Sequence, residues 1–181
     1  MNMRNAFGTA CIVFLTGASA LANELELSIN EELIDLRFTT EYQQDFAGQL
    51  AFMHSDFDEL GSNQISYEFF TRDELEGFDV KLGAKAFWLD SEDDSGFGVG
   101  LGVAAGRKFT EKLTLGAGIN YSPDIITGGD FDSALEIDAR LTFQLLENGA
   151  LFVGYRNLEA DNGRADIDIY DDAYFGINFK F

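Results

Sequence analysis

Cysteine, histidine and proline each occur once in this chain of 181 residues, and basic side chains are scarce. With 12 Lys and Arg against 32 Asp and Glu, the formal net charge is −20. So acidic a chain has too little positive charge to displace phosphate counterions, which excludes nucleic acid as a partner. A single cysteine, Cys11, allows no internal disulfide, so stability must come from hydrogen bonding and burial. Past residue 22 no stretch approaches 18 uncharged apolar residues, so no transmembrane helix follows. The GxSxG, HExxH and P-loop motifs and zinc-ligand spacings are absent too. What remains is apolar: 46% of residues are hydrophobic, with 19 glycines and 18 phenylalanines. Such a chain is not disordered, and its length suits one domain with a sizeable core.

The first 22 residues have the layout of a secretory signal peptide. Arg4 precedes a mostly apolar stretch from Ala6 to Ala22 that closes on Ala20-Leu21-Ala22, a small-x-small cleavage pattern. Diluted by Gly, Thr and Ser, this stretch makes a poor membrane span. Gly8, Thr9 and Ala10 before Cys11 do not form a lipoprotein site. Residues 1–22 are therefore assigned to the leader and 23–181 to the mature domain, from which Cys11 is gone.

From Leu25 onward the apolar period is two. Ile34, Leu36, Phe38 and Tyr42 oppose Asp35, Arg37, Thr39 and Glu41. Leu135, Ile137, Ala139, Leu141, Phe143 and Leu145 oppose Glu136, Asp138, Arg140, Thr142 and Gln144. A soluble barrel turns the apolar face inward, whereas an outer-membrane barrel turns it to lipid. Four features favour the second. Most segments reach the roughly 9–11 residues that cross a bilayer. Tyr42, Trp88, Tyr121 and Tyr155 lie towards strand ends on the apolar face, as an interfacial girdle would. Compact turns alternate with longer, polar connections. Phe175, Ile177, Phe179 and the terminal Phe181 form an alternating C-terminal signal of the kind that barrel assembly machinery reads. The expected fold is all-β, a transmembrane antiparallel up-and-down barrel. Ten strands are favoured over eight, at about 24–30, 33–43, 47–57, 65–72, 78–89, 97–107, 112–122, 133–146, 150–158 and 172–181. Both termini and the short turns are then periplasmic.

A barrel this small has an interior nearly filled by side chains. The expected interior network is Asp35, Arg37, Glu68, Lys81, Lys85, Lys112, Glu136, Asp138, Arg140, Arg156 and Lys180. Both signs are present, which implies pairing rather than a single-sign pore. Gly98, Gly100 and Gly102 turn inward and leave room for long Arg and Lys chains on neighbouring strands.

ELSINEEL near residue 25, LGAKAFWLD, GVGLGVAAGRKF, INYSPD at Ile119–Asp124, VGYRNLEAD at Val153–Asp161 and the closing FGINFKF together resemble the YfaZ family of outer-membrane proteins. The resemblance spans essentially the whole mature chain. It implies a small outer-membrane β-barrel, sometimes labelled a porin, whose molecular function is unassigned, and it carries over no site residues.

Three function classes follow. The first is a non-enzymatic membrane protein, either structural or a narrow low-conductance pore, with no cofactor. The second is a surface module in which Asp90–Gly96 and Glu159–Asp172 offer carboxylates to divalent cations or to lipopolysaccharide-bound metal, although neither stretch has EF-hand spacing. Acidity of this kind also suits a saline habitat, where salt screens self-repulsion. The third is a rim enzyme around His54, which shares a strand face with Asp56 but not with Ser55. The expected partners are outer-membrane lipids, lipopolysaccharide and the assembly machinery.

Overall fold

The computed structural model describes residues 23–181 apart from 44, 60, 92 and 93. The leader expected at residues 1–22 lies outside the described residues. Eleven strands run in chain order: β1 Glu24–Ile29, β2 Leu33–Gln43, β3 Phe46–Ser55, β4 Ser62–Leu75, β5 Phe78–Asp90, β6 Ser95–Lys108, β7 Leu113–Ser122, β8 Thr127–Gly129, β9 Ser133–Leu146, β10 Gly149–Asp161 and β11 Asp166–Lys180. All pairings are antiparallel, and β1 pairs with β11 while β5 pairs with β6, so the sheet closes on itself. The three-residue β8 only adds to the edge of β6, from Gly96 to Gly98, which leaves ten strands as the barrel wall. The chain is an up-and-down ten-stranded barrel. Closure leaves no long wall strand with an unpaired edge, the condition for a sheet to sit in lipid. No described helix is long and apolar enough to span a membrane, so strands do the crossing.

The period of two sets the two faces. Leu101, Val103, Leu115, Ile119, Phe143, Val153 and Phe175 are exposed on the outside. Their strand neighbours of opposite parity point into the lumen. At the C-terminus, Phe175, Ile177 and Phe179 are on the outer face, and Gly176, Asn178 and Lys180 on the inner. The first hairpin, LELSINEELIDL, is two strands, with Ile29 paired to Ile34 around a tight turn.

One end of the barrel carries short turns, such as Glu76-Gly77, where φ is 52° and 81°. Positive φ at both central residues matches the right-handed twist of the flanking strands, and glycine at the second makes it easy. The other end carries the loops, and there the strands run further than the sequence pattern indicated. β4 starts at Ser62 instead of 65 and β11 at Asp166 instead of 172, while the third strand stops at Ser55 rather than 57 and passes into a 3-10 turn at Phe57–Glu59. On β11 a bulge skips Ile169 in the pairing with β10, so Ile169 and Tyr170 are both buried in succession and the alternation that marks a strand is interrupted there.

Candidate functional site in the barrel lumen

The lumen is layered. At the loop end it is apolar: Leu33, Leu89, Leu158, Ala160, Ile169 and Tyr170 point in from the wall, and Phe131 folds down from the β7–β9 connection. All are buried, and Phe57 and Ile167 pack against them. Phe131 is held there by its connection. β8 zips onto β6, the Asp130 amide donates to the Ser95 carbonyl at 2.9 Å, and the Asp132 amide donates to the Asp161 carbonyl at 2.7 Å. Phe131 also lies where a side chain on Gly96 would go.

Below this cap lies an ionic belt of five acids and five bases: Glu26, Asp35, Glu68, Glu136 and Asp138 with Arg37, Lys81, Lys85, Arg140 and Arg156. Its centre is Arg156, only 1% exposed, which reaches Asp35 on β2 at 2.7 Å, Asp138 at 3.3 Å and Glu136 at 3.5 Å. Arg37 donates to the same Asp35 oxygen at 2.8 Å. Lys85 on β5 meets Glu136 on β9 at 2.5 Å, and Lys81 meets Glu68 at 2.7 Å. Arg140 grips both oxygens of Glu26 at 2.9 and 2.8 Å. Arg156–Asp35, Lys85–Glu136 and Arg140–Glu26 join strands that are not neighbours in the sheet and so cross the lumen, whereas Lys81–Glu68 and Arg156–Asp138 link adjacent strands along its wall. Taking charges out of water is costly, and dense mutual pairing is what offsets that cost.

Aromatic rings support the belt. Tyr174 lies over Gly154 and Phe152 over Gly176, each directly across the β10–β11 ladder, with the two rings edge to face at 6.0 Å. The Arg156 guanidinium sits 4.9 Å from the Tyr174 centroid and that of Arg140 5.4 Å from Phe152. Tyr174 donates its hydroxyl hydrogen to Asp138.

Beneath the belt an open cavity of about 740 Å³ extends to the turn end. Its lining runs from Asp35 and Glu136 down to Asp45, Asp79, Lys108 and Lys180, and Met53 is the one described member of the buried apolar cluster that borders it. Gly102, Ala104, Gly106, Gly116 and Gly118 form a flat wall on one side.

Of the eleven interior residues read from the sequence, nine come together in the belt. Lys180 sits at the turn-end rim, 4.0 Å from Glu24, with its side chain 60% exposed. Lys112 lies in the exposed turn before β7 and does not join the network. Glu26 is the belt member that the sequence reading passed over, although the alternation in ELELSI places it inward. The apolar cap is built from one or two residues on each of several strands, such as Phe87, Leu89 and Leu158, with Phe131 from a connection, so no single segment of the sequence marks it. Tyr42, Trp88, Tyr121 and Tyr155 are all exposed on the outside. Tyr155 donates to Asp171, which marks the level where polar groups begin on the outer face. His54 is at the loop-end rim, its Nδ1 3.0 Å from Asn63 Oδ1 and its Nε2 3.5 Å from Asp56. Ser55 points inward, away from it, and its hydroxyl accepts the Phe57 amide hydrogen. Among the described residues no cluster of three or more His, Cys, Asp or Glu is gathered closely enough to hold a metal ion.

The family model described as YfaZ precursor matches residues 3–181. The chain belongs to the YfaZ family. No curated protein matches this YfaZ-family sequence. Solved structures similar to it include the KdgM porin in complex with disordered oligogalacturonate, at 12% identity and a TM-score of 0.49, covering 87% of this chain and 98% of that one. The NanC porin is similar at 12% identity and a TM-score of 0.45, covering 87% of this chain and 99% of that one. LpxR from Salmonella typhimurium is similar at 11% identity and a TM-score of 0.48, covering 82% of this chain and 73% of that one. With its closed barrel and apolar exterior, this YfaZ-family member is a small integral protein of the outer membrane, made as an exported precursor.

Proposed function

We propose that this YfaZ-family barrel is a non-enzymatic outer-membrane protein whose lumen is shut at the loop end, a structural barrel rather than an open diffusion pore. The observation that carries this reading is Arg156, 1% exposed, tied across the lumen to Asp35 and along the wall to Glu136 and Asp138 on the neighbouring strand. A solute crossing the barrel would have to break several buried ion pairs and then displace the apolar cap. Either step alone is costly: losing one partner of a buried pair costs about 3–5 kcal/mol. His54 stands outside this region, and its hydrogen-bond and ion-pair partners among the described residues are an amide, Asn63, and a carboxylate, Asp56. A liposome-swelling assay tests the reading. Proteoliposomes should stay as impermeant to arabinose as empty vesicles, and swelling above that baseline would refute it.

A further inference from the structure

The β10–β11 hairpin turns over at the loop end, where β10 ends at Asp161 and β11 begins at Asp166. Its tip contains the dipeptide Asn162-Gly163, and four hydrogen bonds are arranged around it. The Arg164 and Ala165 amides donate to Asn162 Oδ1 at 3.1 and 3.0 Å. These two bonds curl the side chain back over the peptide that follows it. They also polarise its carbonyl, as the paired donors of an oxyanion hole do. The Gly163 amide donates to Asp161 Oδ1 at 2.7 Å, so a carboxylate holds the proton of the nitrogen next to that carbonyl. Asn162 Nδ2 donates to Asp94 Oδ2 at 3.1 Å, on the β5–β6 connection. Gly163 has a φ of 73°, and a Cβ there would lie 2.5 Å from Asp132 Oδ2, so glycine suits the position and no side chain shields its nitrogen.

We propose that Asn162-Gly163 is a self-modification site, at which the chain converts the Asn162 amide into a cyclic imide and then into aspartate or isoaspartate. The Gly163 nitrogen attacks Asn162 Cγ, forming an N–C bond and a five-membered ring, while Asp161 takes its proton. The Arg164 and Ala165 amides hold the oxyanion that develops on Oδ1. The Cγ–Nδ2 bond then breaks, and Nδ2, protonated from Asp161 through water, leaves as ammonia. Water opens the ring at either carbonyl. No oxidation or reduction occurs, and water is the only co-reactant. Nucleophile and electrophile are adjacent in one chain, so the ring closes without an encounter step. The product sets a carboxylate against Asp94 where an amide had donated to it, and repulsion parts the hairpin tip from the β5–β6 connection. The other Asn-Gly pair, Asn148-Gly149, is not built this way: Gly149 is buried within β10, paired to Leu146 and Phe179.

The test uses the full mature barrel, folded in detergent, aged in neutral buffer, then unfolded and cut with trypsin. Cleavage after Arg140, Arg156 and Arg164 places Asn148 and Asn162 in separate peptides, 141–156 and 157–164. The mass gained when an amide becomes an acid, and the separate elution of isoaspartate, read conversion at each. Asn162 should convert about tenfold faster than in the free peptide 157–167, and Asn148 more slowly than Asn162. Asp161→Asn keeps an acceptor for the Gly163 amide but removes the base. Its rate should fall about tenfold and climb with pH as that of the free peptide does, whereas the parent, whose base is built in, stays nearly level. Heat-modifiable migration in gels checks that the variant is folded. Conversion at Asn162 no faster than in the free peptide would overturn the proposal. So would an Asp161→Asn rate that falls with no change in its pH dependence, because Asp161 would then be only a structural part of the turn.

Discussion

Arg156 and Asp35 stand 121 residues apart in the chain and meet at 2.7 Å in the middle of the lumen, each 1% exposed. They are not equivalent. Asp35 is shared by two guanidiniums, Arg156 and Arg37, whereas Arg156 keeps Glu136 and Asp138 if Asp35 is lost. Asp35→Asn leaves Arg37 and Arg156 facing each other without the charge between them, and should lower stability by about 3–5 kcal/mol. Arg156→Met should cost less, since Arg37 still neutralises Asp35. Urea unfolding of the barrel in lipid vesicles measures both, and equal losses would show that Arg37 does not hold Asp35 on its own.

The barrel and its inside-outside parity were legible in the sequence because a half-lipid, half-lumen strand imposes a period of two on every residue it contains. ALEIDARLTFQL and the closing FGINFKF carry that signal without interruption. The pairing inside was not legible. Parity says that Lys85 and Glu136 both face inward, but not that they meet at 2.5 Å across the two strands that separate β5 from β9. Nor did periodicity mark Phe131, which lies in a connection and reaches the lumen only because β8 pins that connection onto β6.

Gly176, under the Phe152 ring, should tolerate a methyl less well than a lumen glycine with open space beside it. A Cβ on Gly176 would lie 2.3 Å from both the Leu27 carbonyl oxygen and the Phe152 ring, whereas one on Gly106 meets nothing nearer than 3.7 Å. Gly176→Ala should therefore cost about 1–3 kcal/mol through overpacking. Gly106→Ala should be nearly neutral. Unfolding midpoints in the same lipid give the comparison.

Phe131 closes the loop end, so Phe131→Ala leaves a void among Leu33, Leu89 and Tyr170 and should lower stability by about 3 kcal/mol. It should not make the barrel conduct, because the ionic belt lies beneath the cap and is untouched. A stable but leaky Phe131→Ala barrel would show that the cap alone is the seal.

On the last strand, Phe179 is outside and Lys180 inside at the turn-end rim. A lysine on a lipid-facing strand costs ~2–4 kcal/mol at mid-bilayer and falls to ~0–1 near the interface. Phe179→Lys should sit at the low end for stability yet slow assembly, scored by the heat-modifiable fraction in the outer membrane. Lys180→Phe should assemble more nearly like the parent protein. The reverse order would mean that the C-terminal phenylalanines do not act as an assembly signal.

Single-channel recording in planar bilayers tests the sealed lumen most directly. The purified mature barrel, shown to be folded by its heat-modifiable migration, should insert and carry no steady current at moderate voltage in either polarity. Reproducible stepwise conductance that scales with salt would mean that ions pass between Arg156 and its partners, and would contradict the account.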